Sequence, residues 1–426
     1  MEMKRFLRTI ITAVILFCVF VSLILISKSA WYPQPPIKVG VLFSITGELA
    51  STEQSLIDGI ILGIEEINAK GGLLKRKIEI VLADGRSSDD VFAKEARRLI
   101  RQEKVSVLFA CLTSSCRKRV KDVVEQENHL LMYPVVYEGL EQSPNIIYLG
   151  AAPNQQIIPA IKWAIDHLGS RFYLVGSDYI WPHIVNETVK EEVRNLGGVV
   201  VGEDYVPLGD TDMVPVIQHI LAKKPQVIIH TLVATSNQPF FVALRRAGIS
   251  AQKIPVLTFS IGESQVKYFK LNHITGDYAA WGYFESVDDP ENVIFVKNFK
   301  KRYGQDRVTN DFMVNAYTGV KLWAQAVVDA RTNDVLAVRN TLLRQSLHSP
   351  AGPVYIDPVN QHTWKMLYIG QFMDNGQLKI VWQSEKPIPP EPYPSFKSKI
   401  EWHRLLQQLY EQWGQQWGNY KKKNQL

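Results

Sequence analysis

The stretch Leu130-Leu-Met-Tyr-Pro-Val-Val-Tyr-Glu-Gly139, continued by Ala152-Pro-Asn-Gln-Gln156, decides how this chain is read. Leu130 to Met132 is an apolar run that breaks at Pro134, the signature of the end of a buried strand. Pro134 biases Tyr133 toward extended geometry, and Gly139 admits a turn. Tyr133 and Tyr137, with Glu138 behind them, therefore emerge just past a strand's carboxyl end. In an open parallel sheet ligands bind at that end. Aromatic rings, a rigid bend and one acid there suit a small polar ligand. The competing reading is a strand edge with two half-buried tyrosines, because aromatic stretches more often pack than bind.

On the N-terminal side of this stretch, Ile37 to Phe43 reads as a buried strand and Ser44 to Ser51 as a loop of small residues. A helix follows with Leu56, Ile60, Ile64 and Ile67 on one face, stopped by Gly71-Gly72. Strand Ile78 to Ala83, a helix around Val91 to Gln102 and strand Val105 to Ala110 complete a β-α-β-α-β series. The loop Cys111-Leu-Thr-Ser-Ser-Cys116 opens a further helix, with hydroxyls placed where a first turn has unpaired backbone N–H groups.

On the C-terminal side the pattern restarts. Strands 172–178, 199–206, 227–232 and 256–260 alternate with helices over about 183–196, 213–224 and 239–247. From Asp277 the chain changes to helices at about 292–303, 312–330 and 333–345, a strand at 352–358, and a hairpin over 365–384 turning at Asp374-Asn-Gly376. The fold class expected is α/β, with two doubly wound parallel-sheet lobes and a hinge. Lobe 1 takes about 37–150 plus 277–350; lobe 2 takes about 151–276 plus part of 351–392.

At 426 residues the chain is long enough for two cores. Its net charge of +6 sits at the two ends; the body over 37–396 is −1, which argues against nucleic acid. Ile10 to Ile26 is uncharged and follows Lys4, Arg5 and Arg8, an export pattern. Its length favours an uncleaved anchor over a signal peptide, with 1–36 as anchor and Pro-rich spacer. The body would then stand on the outer face of a bacterial cytoplasmic membrane. In the tail, 393–426, Trp402, Leu405, Leu406, Leu409, Trp413 and Trp417 recur at helical spacing, and Lys421 to Lys423 close it. Such a stripe lies on a membrane surface, binds a partner, or packs on the protein's own body. Cys111 and Cys116 are read as two buried thiols, with a bridge as the alternative.

Walker, dinucleotide, zinc and nucleophile-elbow motifs are all missing from the sequence. A binding module is the simpler account: no catalytic residue, no metal and no cofactor are expected.

The motifs IKVGVLFSITG (37–47), GIEEINAKGG (63–72), CLTSSCRK (111–118), YPVVYEGLEQSPNIIYLGAAPNQQ (133–156), GSDYIWP (176–182), RVTND (307–311) and VWQSEKPI (381–388) occur in an order that resembles type I periplasmic substrate-binding proteins. Within them the likeness is to the group that binds urea and short-chain amides. That resemblance implies a ligand held between two hinged lobes. It implies that Ser114 offers a hydroxyl and N–H to a ligand carbonyl, and that Tyr133, Tyr179 and Trp181 wall a flat amide. Ser260 and Glu263 would be closing contacts, and Val135 part of the pocket. Leu112, Val135, Val136 and Trp181 depart from the pattern and imply a more apolar pocket, suited to an amide with a small alkyl group rather than urea. The implied partners are a small neutral solute and an ABC permease; the alternative is a sensor that signals to a separate protein, and a hydrolase of small amides is the remote third.

Overall fold

The computed structural model describes Met3, Arg5, Phe6 and residues 10–17, 34–266 and 269–419. Five parallel strands form the first sheet, in the order β2-β1-β3-β4-β5: β1 Ile37–Phe43, β2 Ile78–Asp84, β3 Leu108–Ala110, β4 Leu131–Tyr133 and β5 Ile146–Tyr148. The inner strand β1 is buried on both faces, as a parallel strand covered by helices must be. Helices Ala50–Ala69 and Asp311–Ala330 pack on each other against this sheet. Phe109, Leu131, Met132 and Val120 form part of its core.

The second sheet runs in the order β15-β14-β10-β9-β8-β6-β7. Its strands are β6 Arg171–Ser177, β7 Val199–Val206, β8 Val227–Thr231, β9 Val256–Thr258, β10 Tyr278–Trp281, β14 Tyr368–Phe372 and β15 Leu378–Gln383. The hairpin β14–β15 is antiparallel and turns at the expected residues, with Gly376 at φ +82°. A small antiparallel sheet of β11 Ser346–Ser349, β12 Gly352–Ile356 and β13 Thr363–Trp364 sits beside the first lobe. Residues 278–281, assigned to lobe 1 from sequence, pair with β9 and belong to the second sheet.

Among the described residues the chain passes from one sheet to the other at 149–152, 282–289 and 365–367. Gln155 and Gln156, at the start of helix Pro153–His167, tie these passages together. The Gln155 amide accepts from Ala152 N–H at 3.0 Å and donates to the carbonyls of Thr363 and Ile388, both at 2.8 Å. Gln156 donates to the Ala280 carbonyl at 2.7 Å. All but the Ile388 carbonyl, which is half-buried, are buried, so a lost partner there would leave an unsatisfied amide or carbonyl.

Three expectations are settled by the described residues. The anchor over Ile10–Ile26, and with it a body tethered to the cytoplasmic membrane, is corrected: no helix among the described residues is long and apolar enough to cross a membrane. Residues 10–17 are helical, and residues 18–26 lie outside those described, as do part of the spacer and the basic run Lys421 to Lys423. The reading of Cys111 and Cys116 as thiols is corrected too: they form a disulfide, with Cα atoms 5.6 Å apart. Finally, the tail helix Lys399–Gln412 packs on the protein itself. Trp402 is fully buried and donates to the Pro394 carbonyl at 2.8 Å.

Candidate functional site

A cavity of about 440 Å³ lies between the carboxyl ends of the two parallel sheets. The first lobe contributes the loops after β1, β3 and β4; the second contributes those after β6, β8 and β9. Five residues singled out from sequence, Ser114, Val135, Tyr179, Trp181 and Ser260, line it. Tyr133 and Glu263 do not.

Ser114 begins helix Ser114–Gln126, whose N-cap is Thr113; the Thr113 hydroxyl accepts from Cys116 N–H at 3.2 Å. The disulfide closes the loop that delivers Leu112, Thr113 and Ser114 to the cavity. Behind Ser114 stands a dry ionic network. The Arg117 guanidinium donates to Ser114 Oγ at 3.0 Å, to Glu138 Oε1 at 2.8 Å and to Glu141 Oε1 at 2.9 Å. Ser114 Oγ in turn donates to Glu138 Oε2. Burial alone would lower the Arg117 pKa, but Glu138 and Glu141 hold it above its ordinary value. Burial likewise opposes ionisation of Glu141, yet Arg117 and Lys118 bring its carboxyl down to about 2.

This network explains Tyr133. Its ring lies under Arg117, 5.1 Å from the guanidinium carbon, and its hydroxyl donates to the Leu112 carbonyl at 3.1 Å. The residue holds the Leu112–Ser114 loop from behind instead of facing a ligand. Tyr137 is also internal. It stacks with Tyr148 and His362, and its hydroxyl donates to His362 Nε2. Burial keeps His362 neutral by lowering its pKa to about 4. The open side of the bend is instead presented by Val135 and Val136. Their backbone is pressed by Gly150, where a Cβ would come within 2.0 Å of the Val135 carbonyl group. Gly139 makes the turn at φ +73°, against the Pro392 carbonyl.

On the second lobe Tyr179 caps helix Ile180–Asn195, with Trp181 in its first turn. Ser260 lies 3.2 Å from His230 Nδ1, which is also 3.0 Å from Thr258 Oγ1. Burial pushes His230 down to about 3, so this support is neutral. Glu263 sits behind the wall in a small recess with Asp311, Trp281 and Phe312, and accepts from Glu285 N–H at 2.8 Å. Burial pushes its carboxyl up to about 8.

Sequence reasoning passed over Trp281, Phe312, Phe259 and Asn237, which also line the cavity. Phe312 directly follows RVTND, while Trp281 falls just after Asp277, where the chain changes pattern; neither has a periodic signal of its own.

A cleft between two parallel-sheet lobes, apolar over most of its wall and polar at helix starts, defines a protein that captures a small solute. Residues 37–399 match the family described as periplasmic binding protein domain, and the chain belongs to that family. It is a solute-binding protein of the ABC-transporter type, not an enzyme. Such proteins bind small solutes and deliver them to a permease. The chain is 24% identical over 342 residues to the Leu/Ile/Val-binding protein homolog 6 of Brucella suis, covering 78% of this chain and 86% of the relative. A 120-residue stretch is 41% identical to a limonene hydroxylase of Geobacillus stearothermophilus, a match that spans 28% of this chain and 22% of that protein. Among solved structures, the fold is shared with an ABC-transporter solute binding protein from Rhodopseudomonas palustris in complex with 3,4-dihydroxybenzoic acid. The TM-score is 0.76 at 23% identity, over 84% of this chain and 99% of that one. A branched-chain amino acid transporter substrate binding protein from Streptococcus pneumoniae, in complex with isoleucine, gives a TM-score of 0.73 at 21% identity, over 83% of this chain and 100% of that one.

Proposed function

We propose that this chain captures a compact solute with an apolar body and one amide-like end, and hands it to an ABC permease. The observation that carries the reading is the composition of the cavity wall. Leu112, Val135, Val136, Tyr179, Trp181 and Phe312 give it apolar surface; Thr113 and Ser114 bring polar groups from the first lobe, with Glu48, Ser51 and Thr52 beside them and Asn237, Ser260 and Gln265 on the second. Among the described residues that line the cavity there is no Lys, Arg or His. A volume of about 440 Å³ falls in the range of roughly 300–1,000 Å³ typical of small-molecule sites and exceeds what urea would fill. The relatives whose printed names speak of branched-chain amino acids and dihydroxybenzoic acid handle bodies of similar size. An alkyl or aryl amide, such as isobutyramide or benzamide, matches both the wall and the polar end. The bridge Cys111–Cys116 suits an oxidising compartment outside the cytosol.

The test is a thermal-shift series on the full chain with urea, acetamide, propionamide, isobutyramide, benzamide, benzoate and isoleucine. A solute that binds only the folded state raises the melting temperature. The expected order places isobutyramide and benzamide above acetamide, and acetamide above urea. A shift with urea alone would end the proposal.

A further inference from the structure

We infer that Glu138 sets the hydrogen-bonding sense of Ser114, so that the site selects solutes that donate a hydrogen bond there and rejects carboxylates of the same shape. This rests on reading the cavity as the solute site.

The argument is one of counting protons and lone pairs. A serine hydroxyl has one proton and two lone pairs. Glu138, ion-paired with Arg117 at 2.8 Å, only accepts, so the hydroxyl proton of Ser114 points to Glu138 Oε2. Arg117 can only donate, so its contact at 3.0 Å occupies one lone pair of Ser114 Oγ. What remains toward the cavity is one lone pair. The hydroxyl therefore accepts from a ligand and cannot give a proton to a carbonyl, the opposite of what family resemblance implies for this residue. Arg117 and Glu138 are both fully buried, so no water can re-pair them and let the hydroxyl turn. Beside it, the N–H of Ser114 belongs to the first helical turn and has no partner within the helix. A donor N–H next to an acceptor hydroxyl complements a primary carboxamide, whose oxygen accepts and whose NH₂ donates. A carboxylate presents acceptors only and would face the Ser114 lone pair. Glu138 is thus a positioning residue, acting on the ligand through Ser114.

Isothermal titration of the full chain at pH 7 with two isosteric pairs tests this: isobutyramide against isobutyrate, and benzamide against benzoate. The expected preference is roughly tenfold to a hundredfold for each amide, the usual consequence of an unmatched polar group. Ser114→Ala should weaken amide binding and bring each pair to near equality. Glu138→Gln is the sharper variant. Its amide oxygen can keep Arg117 while its NH₂ donates to Ser114 Oγ, which frees the serine proton for the cavity. The preference should then shrink or invert, with the carboxylates gaining affinity. Should Glu138→Gln fail to fold, the wild-type ratios and Ser114→Ala decide the matter. Carboxylates that bind the wild type as tightly as the amides overturn this inference and leave the solute-binding reading intact. Absence of binding by all four probes overturns both.

Discussion

The two walls of the cavity are supported in different ways. Behind the first-lobe wall lie full charges in a dry interior: Arg117, Glu138 and Glu141, enclosed by Tyr133, Tyr137 and Tyr148. The second-lobe wall is backed by the neutral pair His230 and Thr258, by the Asp178 carboxylate with His183, and by a strap from the tail. Tail residues 417–419 run alongside Asp178–Ile180: Ile180 N–H donates to the Trp417 carbonyl at 3.0 Å, and Asn419 N–H donates to the Asp178 carbonyl at 2.8 Å. A charged network fixes each donor and acceptor, because any other arrangement leaves a charge unpaired. The first-lobe wall, where Arg117 and Glu138 fix the Ser114 hydroxyl, is thus the stiff one.

The largest effect should come from breaking the stiff wall. Arg117→Met removes the cation and leaves Glu138 and Glu141 buried with Lys118 at 3.7 and 3.4 Å and Lys121 farther off. Uncompensated burial of this kind costs about 3–5 kcal/mol. Guanidinium denaturation measures it, and a loss below about 1 kcal/mol would mean that the network adds little to the first lobe.

This contrast also explains what the sequence disclosed. The run Leu130 to Met132 announced its strand through apolarity alone, and the restart of the βα pattern after residue 170 announced the second lobe. Tyr133 could not be oriented from sequence. Whether a tyrosine at a strand end faces a cleft or an arginine depends on Arg117, sixteen positions earlier, on another element. Glu138 reads as the one acid at a strand end suited to a small polar ligand, and only the packed structure supplies the partner that buries it. Residues 278–281 misled because the change of pattern at Asp277 comes one strand before the crossing at 282–289. The Cys111–Cys116 bridge depended on a loop geometry, Cys111 at φ +70°, that spacing does not determine.

A medium effect should come from Glu263, at the junction of the two walls. Its carboxyl is pushed up to about 8 from an ordinary value of 4.5, so the folded protein holds a proton that the unfolded chain releases in between. The contribution is full below about pH 4.5 and is lost as pH rises toward 8, at up to about 1.4 kcal/mol per unit. Glu263→Gln keeps an acceptor for Glu285 N–H and removes the titration. Denaturation at pH 5.5 and pH 8 should show the variant's stability difference smaller than wild type by about 3 kcal/mol. An unchanged difference would mean that Glu263 is ionised in the native protein.

The smallest effect on stability, and the most informative about the strap, should follow Trp417→Ala. The Lys118 ammonium, on the first lobe, lies 4.6 Å from the Trp417 ring, while the Trp417 backbone is bonded to Ile180 on the second. The tail therefore touches both walls at one residue. Losing a cation–π contact of this kind costs about 0.5–1 kcal/mol, and the backbone bonds of the strap survive the substitution. Trp413→Ala is the control, because the Trp413 ring packs on His183 within the second lobe, 5.1 Å away. If the strap helps hold the two walls together around a solute, Trp417→Ala lowers affinity several-fold in calorimetry while Trp413→Ala changes it far less. Equal affinities in the two variants would confine the strap to stiffening Tyr179 and Trp181 from behind. In that case the difference between the walls would be one of stability alone.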